Sequence, residues 1–221
     1  PVMPLELFRD RNFNLTTVGA LIMGVAMFGS LSYLPTYMQM SVGVDATHAG
    51  LMMIPMMGGL LVTSIIVGQV VTRTGRYRWY PVAGAAVMAL GLLLLSVLEV
   101  GDPRWQIEGS LLMLGIGIGL GMQVMTLIVQ NSFSHRIVGT ATAATNFFRQ
   151  VGGTLGAAAV GSIFTSRLVD SLTAQLPEAT QGGASGSSLT PDLVATLPDP
   201  VRDIVVTAYN EALMPIFLWL V

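Results

Sequence analysis

Long apolar runs broken by short polar clusters dominate this chain. A helix needs about 20 mostly apolar residues to cross roughly 30 Å of hydrocarbon. Residues 15–40, 46–71, 80–98, 107–132 and 139–164 each meet that requirement. A sixth run starts near Ile204 and is expected to be cut short at Val221. None alternates apolar and polar positions with the period of a strand, and an open sheet in lipid would leave backbone groups unpaired. The pattern predicts an all-α membrane protein built as a six-helix bundle. Residues 1–13 form an inner lead-in, 14–166 hold five spans, 167–203 form an outer connection, and 204–221 begin the sixth.

The connections orient the bundle. With the N-terminus inside, Arg9, Arg11, Arg73, Arg76, Arg78 and Arg136 fall on the inner side, and Arg104, Arg167 and Arg202 fall outside. Cationic residues collect at the cytoplasmic face of membrane proteins, so six against three favours this placement. The long connection contains Gly182-Gly183-Ala184-Ser185-Gly186-Ser187-Ser188, a composition that reads as a flexible outer tether. Beyond it, Asp199 and Pro200 are expected to cap and start the last helix.

Composition agrees with the pattern. Hydrophobic residues make up 52% of the chain and charged residues 10%, whereas soluble domains carry about 25% charged residues. The implied surroundings are a lipid bilayer, with multi-pass insertion. A net charge of −2 argues against nucleic acid as a partner, and the absence of Cys removes disulfides and thiolate chemistry. There is no His-x-x-x-His pair, no paired intramembrane carboxylate and no Ser/His/Asp set within reach. The inventory therefore gives no catalytic residue and no metal site, and an enzyme is not expected.

The inner turn after the second span reads Gly68-Gln69-Val70-Val71-Thr72-Arg73-Thr74-Gly75-Arg76-Tyr77-Arg78. Gly68 lets two helices approach, Gly75 permits a tight reversal, and the arginines suit phosphates or helix C-terminal carbonyls. The stretch resembles the loop signature of the major facilitator superfamily, Gly-x-x-x-Asp-Arg-x-Gly-Arg-Arg. Further stretches are similar to 14-span drug:proton antiporters of the EmrB/QacA type. These are Leu5-Glu6-Leu7-Phe8-Arg9-Asp10-Arg11-Asn12-Phe13, Tyr33-Leu34-Pro35-x-Tyr37-x-Gln39, Ala49-Gly50-Leu51-x-x-x-Pro55 and Phe148-Arg149-x-x-Gly152-Gly153-x-x-Gly156.

The resemblance implies the C-terminal six-helix half of such a transporter, in the cell (plasma or inner) membrane, with its N-terminal half missing. It implies proton-driven export of small amphipathic or cationic substrates by alternating access, with the proton gradient as energy source and no cofactor. Gly68, Arg73, Gly75 and Arg76 would then belong to the gating loop. The chain departs from the signature at Thr72, where the family has Asp, which puts a charge-based latch in doubt. Two alternatives stay open: uptake or uniport of a polar metabolite, and a non-transporting membrane assembly domain.

Polar groups inside spans are the site candidates, since each is costly in lipid without a cavity or a partner. Asn146, Arg149, Gln150 and Gly153 share one face of the fifth span. The resemblance turns the first and fourth spans toward the central cavity. Tyr33, Tyr37, Gln39, Gln123, Gln130 and Asn131 can line it there, or each can serve as a helix–helix hydrogen bond. Arg149 can likewise be held by backbone carbonyls of a neighbouring helix. Met38, Met52, Met53, Met56, Met57, Met122 and Met125 suit promiscuous apolar ligands and equally suit core filling. Gly115-x-Gly117-x-Gly119-x-Gly121 lies within an apolar run, so it reads as close helix packing or a kink-prone segment, not a nucleotide loop. No Asp or Glu sits mid-span, so the proton-coupling carboxylate is expected in the missing half.

The topology is directly testable in the full-length protein. Tags inserted within 182–188 and beside Arg76 are expected to be accessible from opposite sides of the membrane. Access from one side only would overturn the six-span reading.

Overall fold

The computed structural model describes residues 5–134, 136–175, 194 and 198–221. The Gly/Ser tether at 182–188 and His135 lie outside the described residues. Among the described residues the chain is helical throughout, without strands. After a 3-10 turn at Leu5–Arg9 come α1 (Arg11–Leu31), α2 (Leu34–Ser41), α3 (Ala46–Met52), α4 (Ile54–Thr74), α5 (Tyr80–Ser96), α6 (Arg104–Ser132), α7 (Val138–Gln175) and α8 (Asp199–Trp219).

Prolines divide the first two spans. Pro35 and Pro55 have no N–H to give the carbonyl one turn back, and their rings crowd it. The helix therefore stops at Leu31 and restarts at Leu34, and stops again at Met52 and restarts at Ile54. Taken together, α1–α2 (31 residues), α3–α4 (29 residues) and α6 (29 residues) are long and apolar enough to cross a membrane. The apolar helix α5 is shorter, at 17 residues. Helix α7 continues to Gln175, past Phe164 where its apolar run ends. The last helix begins at Asp199 with Pro198 as its N-cap, one residue earlier than the Asp199–Pro200 pair suggests.

Caps and turns set the two ends of the bundle. Asp10 accepts from the Phe13 N–H at 2.9 Å to start α1. Phe13 is buried between Phe8 and Phe133, which seats the lead-in on the end of α6 and the start of α7. Asp45 starts α3 by accepting from the His48 N–H and ring Nδ1, each at 2.7 Å. These bonds, the backbone one first, hold the Asp45 carboxyl below its usual pKa, so the cap stays ionised at neutral pH. Gly75 closes α4 in the left-handed region at φ +67°, where a side chain would be strained. The start of α1 and the α4–α5 turn share one end, for Asn12 lies beside Arg76 and Tyr80. At the other end the close of α2, the α5–α6 turn and the first turns of α8 meet around Met40, Val100 and Arg202.

Glycine brings the helices together in two slabs. On α6, a Cβ at Gly115 or Gly119 would strike the backbone of α4 at Met56 and Leu60. Gly117 abuts the Met88 backbone on α5, and Gly84 of α5 meets the Gly121 N–H. The four-glycine run is thus two interleaved pairs on opposite faces, one for each neighbour, and α6 itself stays unbroken. In the second slab, Gly152 and Gly156 of α7 lie on the Leu21 and Val25 carbonyls of α1, and Gly24 lies on the Arg149 carbonyl. Between the slabs the contact changes in kind. Gly121 faces the Met23 thioether and Gly19 faces that of Met125, so flexible side chains form the seam.

Helix α8 ties the slabs at the end opposite the α4–α5 turn. Tyr37 of α2 donates to Asn210 Oδ1 at 2.9 Å, and Asn210 Nδ2 donates to the Leu98 carbonyl after α5 at 3.2 Å. Tyr33, Phe164 and Tyr209 stack in series, with ring centroids 5.7 and 4.7 Å apart. Leu61, Val62, Ile65 and Ile66 of α4 point outward and are more than half exposed. Side chains of this kind in a continuous band match apolar surroundings, not water.

The glycine contacts predict asymmetric mutational costs. Gly152→Leu is expected to cost about 1–3 kcal/mol or more, as forced overpacking does, and to splay α1 from α7. Gly58, whose Cβ would meet open space, is expected to tolerate Ala with a change of at most about 1 kcal/mol. Reversible unfolding of the full-length protein in mixed micelles measures both. Equal stability of the two variants would refute the contact.

Candidate functional site

The seam between the slabs holds a narrow cleft with about 10 Å³ of open space, room for about one water. Its walls are Ala20 and Met23 of α1, Met122, Met125, Thr126 and Val129 of α6, and Thr142, Thr145, Asn146 and Arg149 of α7. Arg149 and Asn146 both border it, as their helical spacing implies; Asn146 is exposed, as is Gln150, and Gly153 lies under the Phe28 ring. The Gly24–Arg149 backbone contact fixes the root of the arginine, and its side chain is half-buried. Among the described residues the guanidinium has no ion pair and no hydrogen bond. An unpaired Arg at the centre of a bilayer costs about 2.5–3.5 kcal/mol even on the lenient insertion scale. Its partial exposure gives it access to water. The backbone-carbonyl tether open to it on sequence grounds is not formed.

Three threonines of the cleft were not picked out from the sequence. Thr126, Thr142 and Thr145 donate their hydroxyl protons to carbonyls of their own helices, at 3.0, 2.9 and 3.1 Å. They can still accept hydrogen bonds from a ligand. Thr142, Thr145 and Asn146 lie on the Arg149 face at helical spacing, so that spacing was the available signal.

A second depression of about 510 Å³ lies between α4 and α6, lined by Ser64, Gly68, Gln69, Thr72, Arg73 and Gln123 among others. It joins two loop-motif positions, Gly68 and Arg73, to the cavity candidate Gln123. The other two, Gly75 and Arg76, sit on the neighbouring turn with Tyr77, Arg78, Trp79 and Tyr80. Thr72 donates to the Gly68 carbonyl at 2.7 Å, which occupies its hydroxyl within its own helix. Among the described residues Arg73, Arg76 and Arg78 form no ion pair.

The remaining candidates lie away from the cleft. Tyr33 donates to the Ala157 carbonyl at 3.2 Å, and Tyr37 is buried in its bond to Asn210. Gln39 donates to the Pro35 carbonyl at 3.1 Å and lines the outer-end pocket. Gln130 and Asn131 are exposed in the last turn of α6. Of the methionines, Met38, Met52 and Met56 are core, Met53 is half-buried against it, Met57 is exposed, and Met122 and Met125 border the cleft.

The family model described as Major Facilitator Superfamily matches residues 1–157. The chain belongs to the major facilitator superfamily. An uncharacterized MFS-type transporter of Mycobacterium tuberculosis is 39% identical over 98% of this chain and 31% of its own length. The multidrug transporter protein MdtP of Bacillus subtilis is 36% identical over 80% of this chain and 32% of its own. A tetracycline resistance determinant of Streptomyces rimosus is 34% identical over 73% of this chain and 47% of its own. This major facilitator chain therefore spans about a third of the first two relatives and about half of the third.

The bond between α2 and α8 carries its own test. Tyr37→Phe leaves Asn210 Oδ1 without its donor and is expected to lower stability by about 0.6–1.5 kcal/mol. Its effect on transported compounds is expected to be uniform. Loss confined to one substrate class, with stability unchanged, would instead make Tyr37 a ligand contact.

Proposed function

We propose that the full-length protein exports small amphipathic or cationic compounds across the cell membrane in exchange for protons. In this reading the two halves rock around a midplane site, and this chain supplies one wall of it together with the inner gating loop. The observation that carries the reading is the methionine seam between the slabs, where Met23 faces Gly121 and Met125 faces Gly19. Polarizable, unbranched side chains adapt to apolar ligands of varied shape, and the seam lies in a chain of a transporter family. The names of the Bacillus and Streptomyces relatives support an export direction and drug-like substrates.

The mechanism follows from how the slabs are joined. Each slab is held by backbone contact at glycine and moves as a unit, while the seam between them can repack by rotamer changes of Met23, Met122 and Met125. No carboxylate lines the cleft. The proton-carrying group is accordingly assigned to the part of the protein outside this chain.

Everted vesicles containing the full-length protein test the reading. Imposing a proton gradient, acid inside, is expected to drive ethidium accumulation that a protonophore abolishes. Labelled glucose is expected not to move. Glucose transport without ethidium transport would replace export by metabolite uptake.

A further inference from the structure

We propose that the recess at the α4–α5 turn is a site for an anionic phospholipid, its phosphate held by Arg76 and Arg78 and an acyl chain laid along the outward ridge of α5. The recess has a volume of about 650 Å³, and its walls include Asn12, Arg76, Tyr77, Arg78, Trp79 and Tyr80. Among the described residues neither arginine gives a side-chain hydrogen bond or an ion pair to the protein. The Asn12 amide and both tyrosine hydroxyls are equally uncommitted there. The tyrosine rings are held in place, for both pack against Val67, Val71 and Val124 in the α4–α6 core. Two guanidiniums and positioned hydroxyl donors around one space suit the clustered acceptor oxygens of a phosphate.

The charge at this end selects an anion. The segments that meet here carry Arg9, Arg11, Arg73, Arg76, Arg78 and Arg136 against Glu6 and Asp10. The Asp10 carboxylate caps α1 through the Phe13 N–H, and Glu6 is exposed. Neither pairs with an arginine among the described residues. Positive charge is therefore left over at one end of a membrane bundle, where arginines attract acidic lipid.

Apolar surface beside the recess favours a lipid over free phosphate. Trp79 is 77% exposed, the placement of a ring that sits at the level of lipid headgroups. Beyond it Val82, Ala86, Leu90 and Leu94 follow at four-residue intervals on one face of α5, and all four are exposed. A headgroup recess thus runs into a track for hydrocarbon.

Fluorescence quenching tests the site without a transport assay, so a failed export reading leaves its result standing. The chain has no Cys, so Val82→Cys in a full-length protein freed of other cysteines takes one bimane label next to the recess. Leu94→Cys takes one at the far end of the same ridge. Each is reconstituted in dioleoylphosphatidylcholine vesicles with rising fractions of chain-brominated phosphatidylglycerol or chain-brominated phosphatidylcholine. Both leaflets carry the quencher, so the direction of insertion is immaterial. At Val82 half-quenching is expected at about a tenfold lower mole fraction of the glycerol lipid than of the choline lipid. At Leu94 the two curves are expected to coincide. Arg76→Gln with Arg78→Gln is expected to abolish the difference at Val82, and Arg76→Lys with Arg78→Lys to preserve it. Inorganic phosphate at constant ionic strength is expected to leave it unchanged; displacement by phosphate would replace the lipid with a soluble anion. Coincident curves at Val82, or an equal preference at Leu94, would overturn the proposal. So would a preference that survives the glutamine changes or is lost equally with lysine.

Discussion

Backbone-to-backbone approach at glycine is the interaction on which the rest of this bundle depends. In lipid, side chains gain little by leaving an equally apolar solvent, so helices associate through close contact and hydrogen bonds. Gly115 and Gly119 settle α6 on α4, Gly117 and Gly121 settle it on α5, and Gly152 and Gly156 settle α7 on α1. The interhelical hydrogen bonds from Tyr33 to Ala157 and from Tyr37 to Asn210 accompany these contacts and lie toward one end. A structure fastened in this way has strong pairwise joints and a weaker seam where methionines replace glycines.

Much of the fold was legible because the membrane imposes a simple length rule. Each apolar run became helical, the first two in two pieces each, and α4 closed at Gly75 before the arginine-bearing turn as its residues require. Other features were hidden by distance or by direction. Periodicity shows that the α6 glycines alternate, but not which neighbour each one meets, since that depends on the positions of α4 and α5. The Tyr37–Asn210 bond joins residues 173 positions apart, and no local pattern announces it. The breaks at Pro35 and Pro55 were present in the sequence as prolines inside long runs, yet apolarity continues across them. The extension of α7 to Gln175 was obscured by Arg167 and Asp170, which end the apolar run without ending the helix.

The candidate site divides along the same line. Asn146 and Arg149 could be paired from spacing on one helix, and the structure places both on the cleft. The tyrosines at 33 and 37 had the same polar-in-apolar signature, but their hydroxyls are engaged by neighbouring helices. Sequence registers that a polar group lies at membrane depth. Whether a partner waits for it is decided by tertiary contacts.

The thioether seam carries a mechanical consequence. A joint between two stiff slabs, tied at one extremity by α8, packed at the other by Phe13 with Val129 and Ala141, and padded between by deformable sulfur-containing chains, has the layout of a buckle with a clasp at each end. Adjustment beside Met23 and Met125 is then confined to the middle of the seam unless one clasp releases. Stiffness within each slab is what transmits the release of either clasp along the whole joint, since a uniformly soft bundle would absorb it locally.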